Sequence, residues 1–273
     1  GLGLTGIIAW AEFKLIKIKS SKIISFSKRF NSFDEFLNLS ENLDKKHEYS
    51  VSWIDCLAEQ KQLGRGIYIA GDFQEEGKLE VESSYKFKIP FNPKISLVNK
   101  LSLKLFNTIY FNSSPAKIKE KITGYDSFFY PLDFISNWNM MYGKSGFQQY
   151  QVVIPEKYSK EGITKLLKVI SKSKLGSFLA VLKKFGDIKS PGFLSFPIKG
   201  TTLSLDFPQY TKPNINLFPN LNSIVNNFGG RLYPAKDAQI DSDFFKKSFP
   251  NWEKLEKYRD AKLLSQFWSR VIK

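Results

Sequence analysis

Short segments with strand-like alternation recur along this chain of 273 residues, and helical patterns separate them at irregular intervals. The predicted strands cover 7–18, 49–57, 64–71, 147–154, 178–184, 192–197, 202–207 and 231–235. One helix is predicted to begin at Ser32, and four others are predicted over 158–171, 215–228, 241–248 and 252–272. This succession predicts an α+β fold with a largely antiparallel sheet and flanking helices.

A basic and apolar segment, 85–112, lies between the third and fourth predicted strands. It carries Pro90 and Pro93 and shows no period that would bury its apolar residues on one face. We therefore expect a mobile flap that is poorly ordered without substrate or membrane, with a short helix over 97–111.

Composition excludes several classes of protein. With 42% hydrophobic and 25% charged residues, the chain is too apolar to be disordered and too charged to be a membrane channel. No run reaches the roughly 18 uncharged apolar residues that a transmembrane helix needs. The single cysteine, Cys56, excludes an internal disulfide and favours a reducing, cytoplasmic compartment. Because His47 is the one histidine, no metal site is expected.

The formal net charge of +15 comes from lysines and arginines that are scattered through aliphatic stretches. Such scattering is typical of solvated faces. The alternative is peripheral attraction to anionic lipid headgroups at the inner membrane, or to a phosphorylated substrate. No recognition motif for nucleic acid accompanies the charge, so nucleic acid is not an expected partner.

The common catalytic motifs find no match in the sequence. His47 stands in a charged turn and is expected to be a solvated surface residue, whereas Cys56 has apolar neighbours and is expected to be buried. There is no Walker loop. The glycine-rich start of the chain precedes a predicted strand and not a helix, which is the wrong context for a dinucleotide-binding Rossmann fingerprint.

A series of short motifs spans nearly the whole chain. They are Gly1-Leu2-Gly3-Leu4-Thr5-Gly6-Ile7-Ile8, Trp53-Ile54-Asp55-Cys56-Leu57 with Gly64-Arg65-Gly66, Phe129-Tyr130-Pro131-Leu132-Asp133, Gly146-Phe147-Gln148-Gln149-Tyr150-Gln151, Ser177-Phe178-Leu179, Leu194-Ser195-Phe196-Pro197, Asp206-Phe207-Pro208, and Gly229-Gly230-Arg231-Leu232-Tyr233 with Ala235-Lys236-Asp237. In this order they resemble FAD-linked oxidases of the vanillyl-alcohol-oxidase type, in particular the decaprenylphosphoryl-β-D-ribose oxidases. Each motif alone is weak, but together they are specific.

The resemblance implies a division into domains. Residues 1–20 are similar to the last strand of the FAD-binding domain, 21–230 to the substrate-binding domain, and 231–273 to the C-terminal return to the FAD-binding domain. The family's phosphate-cradling glycine loop and its His-Gly-Lys-Asn-type region have no counterpart here. We therefore expect the C-terminal part of such an enzyme, beginning inside a larger domain and binding FAD weakly or not at all by itself.

The resemblance also implies which residues bind the cofactor. The cofactor-binding positions are Leu4, Thr5, Gly6, Ile7, Ile8, Tyr233 and Lys236. Lys236 matches a catalytic lysine beside flavin and substrate, where a cation would stabilise the anionic reduced ring. A surface ion pair between Lys236 and Asp237 is the alternative, and Tyr233 has simple core packing as its alternative.

The substrate-binding positions follow in the same way. They are Gln149, Gln151, Lys183, Phe185, Thr202, Ser204 and Phe129. Gln149 and Gln151 alternate on one strand and so point to the same face, where paired amides suit polyol hydroxyls. Thr202 and Ser204 stand where the actinobacterial enzymes carry an asparagine and an inhibitor-sensitive cysteine, so inhibitors that need that cysteine are expected to fail. Phe129 stands where a pocket tyrosine is expected.

The activity that the resemblance implies is FAD-dependent oxidation of a secondary alcohol on a sugar, a polyprenyl-phosphate-linked pentose, with the keto product passing to a partner reductase. One alternative is an aldonolactone or alditol oxidase that acts on a soluble sugar. Another is a non-catalytic fragment that binds a lipid or a partner and lacks flavin. Flavin content separates this last alternative from the two oxidases.

Overall fold

The computed structural model describes residues 1–81, 87–209, 216–236 and 239–272. The strands are β1 (Lys22–Phe30), β2 (Tyr49–Ile54), β3 (Gly66–Phe73), β4 (Phe87–Lys88), β5 (Lys119–Gly124), β6 (Ile135–Ser136), β7 (Phe147–Pro155), β8 (Val181–Phe185), β9 (Gly200–Pro208) and β10 (Arg231–Leu232). The α-helices are α1 (Phe33–Leu43), α2 (Lys100–Ser113), α3 (Tyr125–Phe129), α4 (Ser159–Ser173), α5 (Leu217–Asn227), α6 (Ser242–Ser248), α7 (Trp252–Glu256) and α8 (Gln266–Val271). Short 3₁₀ turns cover Gln60–Gln62, Trp138–Tyr142, Glu156–Tyr158 and Pro234–Lys236.

Eight of the strands form one sheet in the order β10-β7-β9-β8-β2-β3-β1-β5. Every neighbouring pair in this sheet is antiparallel. The short strands β4 and β6 form a separate parallel pair. The predicted α+β fold with a largely antiparallel sheet is therefore confirmed, while the domain limits at 20 and 230 stay predictions.

The two faces of the sheet differ in chemistry because successive side chains of a strand point to opposite faces. On one face, alternate residues of the central strands enter the main core: Tyr150, Val152 and Ile154 of β7 and Leu203, Leu205 and Phe207 of β9. Helices α1, α4, α5, α6 and α8 cover this face with their apolar sides. The intervening residues of β7 and β9 point to the other face, which is described below as the polar face.

Local signals in the sequence explain where the first helix begins. Ser32 is the N-cap of α1, and its hydroxyl accepts from the backbone N–H of Glu35 at 3.3 Å. Asp34 and Glu35 provide the acidic first turn that favours a helix N-terminus. The predicted helix start at Ser32 is confirmed.

Helix α2 is anchored to the sheet by a buried polar contact. The side-chain amide of Asn107 donates to Oδ1 of Asp55 at 2.6 Å. Arg65 holds the other carboxylate oxygen of Asp55 through Nε at 3.0 Å and Nη2 at 2.7 Å. The guanidinium of Arg65 also lies 4.7 Å from the centre of the Phe111 ring. These contacts fix the buried side of α2, formed by Leu103, Asn107 and Phe111.

The predicted helix over 97–111 is therefore confirmed, but the expectation that its segment lacks a buried face is wrong. Asn99 caps α2 in a complete capping box with Ser102. The buried residues recur every four positions, which is a helical period that the apolar residues on the exposed side conceal. Residue Tyr85, where the predicted flap begins, lies outside the described residues, and the mobility of the flap stays a prediction.

Two predicted strands are wrong, and two observed strands were not predicted. The segment 7–18 forms no regular element, and Ile7 is 92% exposed, since no described strand pairs with it. The first strand is Lys22–Phe30, where serines and lysines weaken the alternation. A turn closed by the N–H of Ser195 and the carbonyl of Gly192 replaces the predicted strand at 192–197. The edge strand Lys119–Gly124 was not predicted, because four of its six residues are exposed and give no hydrophobic pattern.

The C-terminal predictions also change in detail. The single helix predicted over 252–272 is divided into α7 and α8, because Ser265 starts a new helix by accepting from the N–H of Trp268. The predicted helix over 215–228 is α5, and Ile215 lies outside the described residues. Among the helices that the structure describes, none is both long and apolar enough to cross a bilayer.

The single histidine and the single cysteine have different outcomes. His47 is not a solvated surface residue: its side chain is only 12% exposed, and Nδ1 lies 2.6 Å from Oδ2 of Asp72. Its ring centre lies 4.5 Å from that of Phe26. Cys56 is buried, as predicted, and burial raises the pKa of its thiol to about 12.

Candidate substrate site

Polar side chains from three adjacent strands meet on the face of the sheet opposite the main core. In the antiparallel pair of β7 and β9, Gln149 lies opposite Asp206 and Gln151 lies opposite Ser204. In the pair of β8 and β9, Lys183 lies opposite Thr202. Because paired residues share a face, these side chains form one continuous surface. The polar face is defined as Gln149, Gln151, Lys183, Thr202, Ser204 and Asp206.

Two members of the polar face are buried without a hydrogen-bond partner. Asp206 is 1% exposed and Thr202 is 3% exposed. Among the residues that the structure describes, neither carboxylate oxygen of Asp206 nor the hydroxyl oxygen of Thr202 has a hydrogen-bond partner. Buried polar groups in proteins are nearly always satisfied, so unpartnered ones need an explanation. A polar ligand that binds here would supply the missing partners.

The carboxyl group of Asp206 is electrostatically unusual. Burial raises its pKa to about 6, because the charged form loses its hydration. The side chain of Gln149 and the cation of Lys236 oppose this increase in pKa only in part. Gln149 is therefore close to Asp206, although the two side chains do not meet in hydrogen-bond geometry. Near neutral pH this carboxyl group can exchange a proton.

An aromatic group borders the polar face. Tyr233 follows β10, and its ring stacks on that of Phe196 with centres 4.8 Å apart. The ring of Phe196 also meets that of Phe185 edge-on at 5.9 Å. Nη1 of Arg231 donates to the carbonyl of Ser195 at 2.9 Å, which holds the neighbouring Phe196 in this position. The aromatic border thus excludes water from one side of the polar face.

Lys236 stands at the end of the turn that follows Tyr233. The N–H of Lys236 donates to the carbonyl of Tyr233 at 3.0 Å, and the N–H of Tyr233 donates to the carbonyl of Gln151 at 2.9 Å. This chain of backbone contacts fixes Lys236 beside β7. Its side chain is exposed, and its charge lowers the pKa of Asp206. Asp237, the alternative ion-pair partner, lies outside the described residues.

The cofactor-binding residues predicted near the start of the chain lie elsewhere. Leu4 is buried in the main core, and its carbonyl accepts from the N–H of Asp260 at 2.9 Å. Thr5, Gly6, Ile7 and Ile8 are exposed and belong to no regular element. The structure does not bring these five residues to the polar face.

Phe129 is also separate from the other predicted substrate residues. Its ring packs edge-on against Tyr49 at 4.9 Å and lies 6.1 Å from that of Phe73. Tyr49 belongs to β2, three strand positions from β7 in the sheet, which corresponds to roughly 14 Å at about 4.8 Å per strand. Phe129 therefore lies on the same side of the sheet as the polar face but at the other end.

Asp206 is the residue of this site that the sequence predictions missed as a functional residue. The motif Asp206-Phe207-Pro208 contributes to the resemblance, but no function was predicted for Asp206 itself. The signal was present, because Thr202, Ser204 and Asp206 alternate on one strand and must share a face. Within the described ranges, no cluster of three His, Cys, Asp or Glu side chains could hold a metal ion.

The residues near Lys236 fit one side of a flavin. The exposed ammonium of Lys236 can approach an anionic ring, and Tyr233 with Phe196 provides an aromatic surface beside it. Leu4 does not fit a role in cofactor binding through its side chain, since that side chain is enclosed in the core. Lys236 and Tyr233 thus stay predicted cofactor contacts, and their surroundings fit that role.

The chain has relatives among known proteins. No protein-family model matches the sequence. The chain is 32% identical over 265 residues to decaprenylphosphoryl-beta-D-ribose oxidase of Mycolicibacterium smegmatis, a match that covers 92% of this chain and 56% of that protein. It is 23% identical over 277 residues to an uncharacterized protein in the mprA 5' region of Streptomyces coelicolor, covering 96% of this chain and 74% of that protein.

Among solved structures, the wild-type BBE-like 1 protein of Physcomitrella patens aligns with 89% of this chain and 52% of that chain, at a TM-score of 0.47 and 12% identity. The chain thus spans little more than half the length of the mycobacterial oxidase, although the match takes in nearly all of its own residues. The resemblance predicted from the motifs is confirmed. The chain is similar, over nearly all of its own length, to part of a decaprenylphosphoryl-β-D-ribose oxidase.

Proposed function

We propose that this chain forms the substrate side of an oxidase that converts a secondary alcohol of a sugar into a ketone, with FAD as the cofactor. The observation that carries the proposal is the polar face, where amides, hydroxyls and an unpartnered carboxylate converge from β7, β8 and β9. Groups of this kind match the several hydroxyls of a sugar. The similarity to a ribose-type oxidase supports the same substrate class.

The residues of the polar face would divide the work of binding. The side chains of Gln149, Gln151 and Ser204 are half-buried and can exchange hydrogen bonds with neighbouring hydroxyls of one sugar ring. Lys183 is exposed at the border of this face, where its ammonium suits the phosphate of a polyprenyl-phosphate-linked pentose. A phosphate contact at Lys183 would favour a lipid-linked pentose over a free sugar.

FAD, when bound, supplies the acceptor for the hydride that leaves the sugar carbon. Lys236 would hold its ammonium against the ring and stabilise the negative charge that the ring gains. Tyr233 and Phe196 would keep water away from the reacting carbon on the side of β10. The ketone that results would be the substrate of a partner reductase.

A turnover assay with the protein encoded by the complete gene tests this proposal. A polyprenyl-phosphate pentose, a free alditol and an aldonolactone are each mixed with the protein under anaerobic conditions, and the loss of oxidised-flavin absorbance is followed. We expect the lipid-linked pentose to reduce the flavin fastest. Faster reduction by a free sugar would favour the soluble-sugar oxidase, and purified protein without flavin would favour the non-catalytic alternative.

A lipid-linked substrate would arrive from a membrane, and helix α2 carries a surface that suits one. The outer side of α2 presents Leu101, Leu105 and Ile109, spaced by four residues, and all three are exposed. Lys100 and Lys104 lie beside them on the same helix and are also exposed. We name these five residues the α2 surface.

The sequence around the α2 surface contains no acidic residue between Glu82 and Glu120. Exposed aliphatic side chains with lysines and without carboxylates match the interface of an anionic bilayer. We propose that the α2 surface rests on such a bilayer, so that the substrate can enter from it. The polar face and the α2 surface belong to the same side of the sheet, since α2 packs on Trp53 and Ile67.

A further inference from the structure

The carboxyl group of Asp206 raises a problem that sugar binding alone does not explain. A carboxylate removed from water and left without hydrogen bonds costs several kcal/mol. The fold could have avoided this cost with an asparagine or a serine at the same position of β9. Instead it retains an acid that is 1% exposed in the centre of a polar face. A retained, unpartnered acid at such a position indicates a role in moving a proton.

We propose that Asp206 takes the proton of the sugar hydroxyl that is oxidised. This inference rests on the proposed function. Gln149 lies directly opposite Asp206, and Ser204 precedes it by two residues on the same face, so a hydroxyl bound by the Gln149 amide would stand next to the carboxylate. Asp206 is then a catalytic residue that the resemblance did not assign.

Oxidation of the alcohol removes one proton and one hydride. The O–H bond of the alcohol would break and its proton would pass to an oxygen of Asp206, which would become a neutral carboxylic acid. FAD, when bound, would supply the two-electron acceptor for the hydride of the carbon that bears this hydroxyl, as the C–O bond becomes a carbonyl. The proton would stay on Asp206 until product leaves.

The surroundings of Asp206 suit a group that alternates between two charge states. The charge of Asp206 adds to burial in raising the pKa of the Tyr142 phenol, so Tyr142 stays neutral and acts as a dipole only. Lys236 is the facing cation, and it favours the carboxylate over the acid. Gln149 is neutral at all pH values. Burial raises the pKa of this acid, and the Gln149 side chain and, to a smaller degree, the charge of Lys236 limit the increase, so that the pKa is about 6.

The test compares wild type with Asp206→Asn in the flavin-loaded protein from the complete gene. Asn has nearly the same shape as Asp but cannot accept a proton. We expect the rate of flavin reduction by substrate to fall by about a hundredfold or more, which is the range of general-base catalysis. The pH dependence of this rate should show a limb near pH 6 in wild type that the variant lacks. Substrate affinity should change by less than about threefold.

A second readout does not depend on turnover. Infrared difference spectra recorded as pH falls through about 6 should show the carbonyl band of a protonated buried acid in wild type and not in Asp206→Asn. Asp206→Glu retains a proton acceptor and should keep part of the rate. Asp187→Asn, an exposed acid after β8, is the matched control and should behave as wild type.

The outcomes separate the two proposals. If substrate reduces the flavin of wild type and of Asp206→Asn at the same rate and with the same pH profile, the role of Asp206 is overturned and the proposed function stands. If no secondary alcohol of a sugar reduces the wild-type flavin, the proposed function is overturned and the role of Asp206 with it. If Asp206→Asn does not fold, a rate for Asp206→Glu equal to wild type without the infrared band would overturn the inference.

Discussion

The side-chain amide of Asn107 on α2 donates a hydrogen bond of 2.6 Å to the carboxylate of Asp55 at the end of β2, and both side chains are buried. The contact joins residues that are 52 positions apart in the sequence. It is the polar anchor of the helix that carries the α2 surface, and the stability of that surface depends on it.

Replacing Asn107 with Ala should lower the free energy of unfolding by about 1–3 kcal/mol, because Asp55 loses a buried donor. Urea unfolding measures this difference. The matched control is Asn112→Ala on the same helix, where the amide is exposed and bonds only to the carbonyl of Thr108. The control should stay within about 0.5 kcal/mol of wild type. Equal losses in the two variants would show that the contact with Asp55 adds nothing.

The chain of 273 residues by itself should bind FAD weakly or not at all. Tyr233 and Lys236 offer contacts to one side of a flavin. A pyrophosphate needs several convergent N–H donors, and the glycine loop expected from the resemblance has no counterpart in this sequence. The measurement is flavin absorbance retained after excess FAD is removed by desalting. Retention close to one FAD per chain would refute the expectation.

Lys236→Met, in the protein from the complete gene, should slow flavin reduction far more than it weakens FAD binding. The positive charge is needed mainly when the ring becomes anionic, so its loss should cost about 2–4 kcal/mol in the transition state. Gln151→Ala should act mostly on substrate affinity, since its amide meets the sugar before and during the reaction. Single-turnover bleaching of the flavin separates the two effects.

The control for the lysine variant is Lys172→Met, which removes an exposed charge from α4 on the core-covered side of the sheet. It should leave the rate of bleaching unchanged. A wild-type rate for Lys236→Met would assign Lys236 to a surface role and leave the flavin without its predicted cation.

The double substitution Leu101→Gln and Leu105→Gln should weaken binding to vesicles of anionic phosphatidylglycerol by at least about tenfold, because two exposed leucines no longer insert. Sedimentation with vesicles measures the bound fraction. Added salt should weaken binding by wild type, since lysines contribute. Leu264→Gln, an exposed leucine outside α2, is the control. Equal binding to neutral phosphatidylcholine vesicles would contradict the charge part of the proposal.

The elevated pKa of Asp206 also predicts a pH dependence of stability. The folded protein holds this proton up to about pH 6, whereas the unfolded chain releases it near the ordinary value of 3.8. The favourable contribution is therefore complete below about pH 4 and is lost as pH rises through about 6. Relative to Asp206→Asn, wild type should lose about 3 kcal/mol of unfolding free energy across this window. Urea unfolding of both proteins from pH 4 to 8 gives the difference, and a difference that does not vary with pH would contradict the raised pKa.

The sequence predicted those parts of the fold that have a local signal. The cap at Ser32, the alternation in β7 and β9 and the helical stripe of α4 each depend on neighbours in the chain. The failures depend on distant partners. Segment 7–18 alternates but pairs with no described strand, while β1 and β5 pair well without a clear alternation.

The candidate site shows the same division. Six predicted residues lie close together on three neighbouring strands. Each strand carries two of them, spaced by two positions: Gln149 and Gln151 on β7, Lys183 and Phe185 on β8, and Thr202 and Ser204 on β9. The place of Phe129 could not be predicted in this way, since the order of strands in the sheet determines its distance from β7. Nor could the burial of Asp206 be predicted, because strand pairing, and not its neighbours in the chain, brings β7 with Gln149 beside it.

The alternation of β9 limits how this protein can change during evolution. A residue inserted at the beginning of β9, before Thr202, would turn Leu203 and Leu205 to the polar face and bring Thr202 and Asp206 into the core. Substitutions at positions 202 and 204 leave the packing of the other face intact, so new specificities can arise there one residue at a time. Insertions and deletions in this strand would be eliminated by selection, and length variation among relatives should concentrate in the segments between strands.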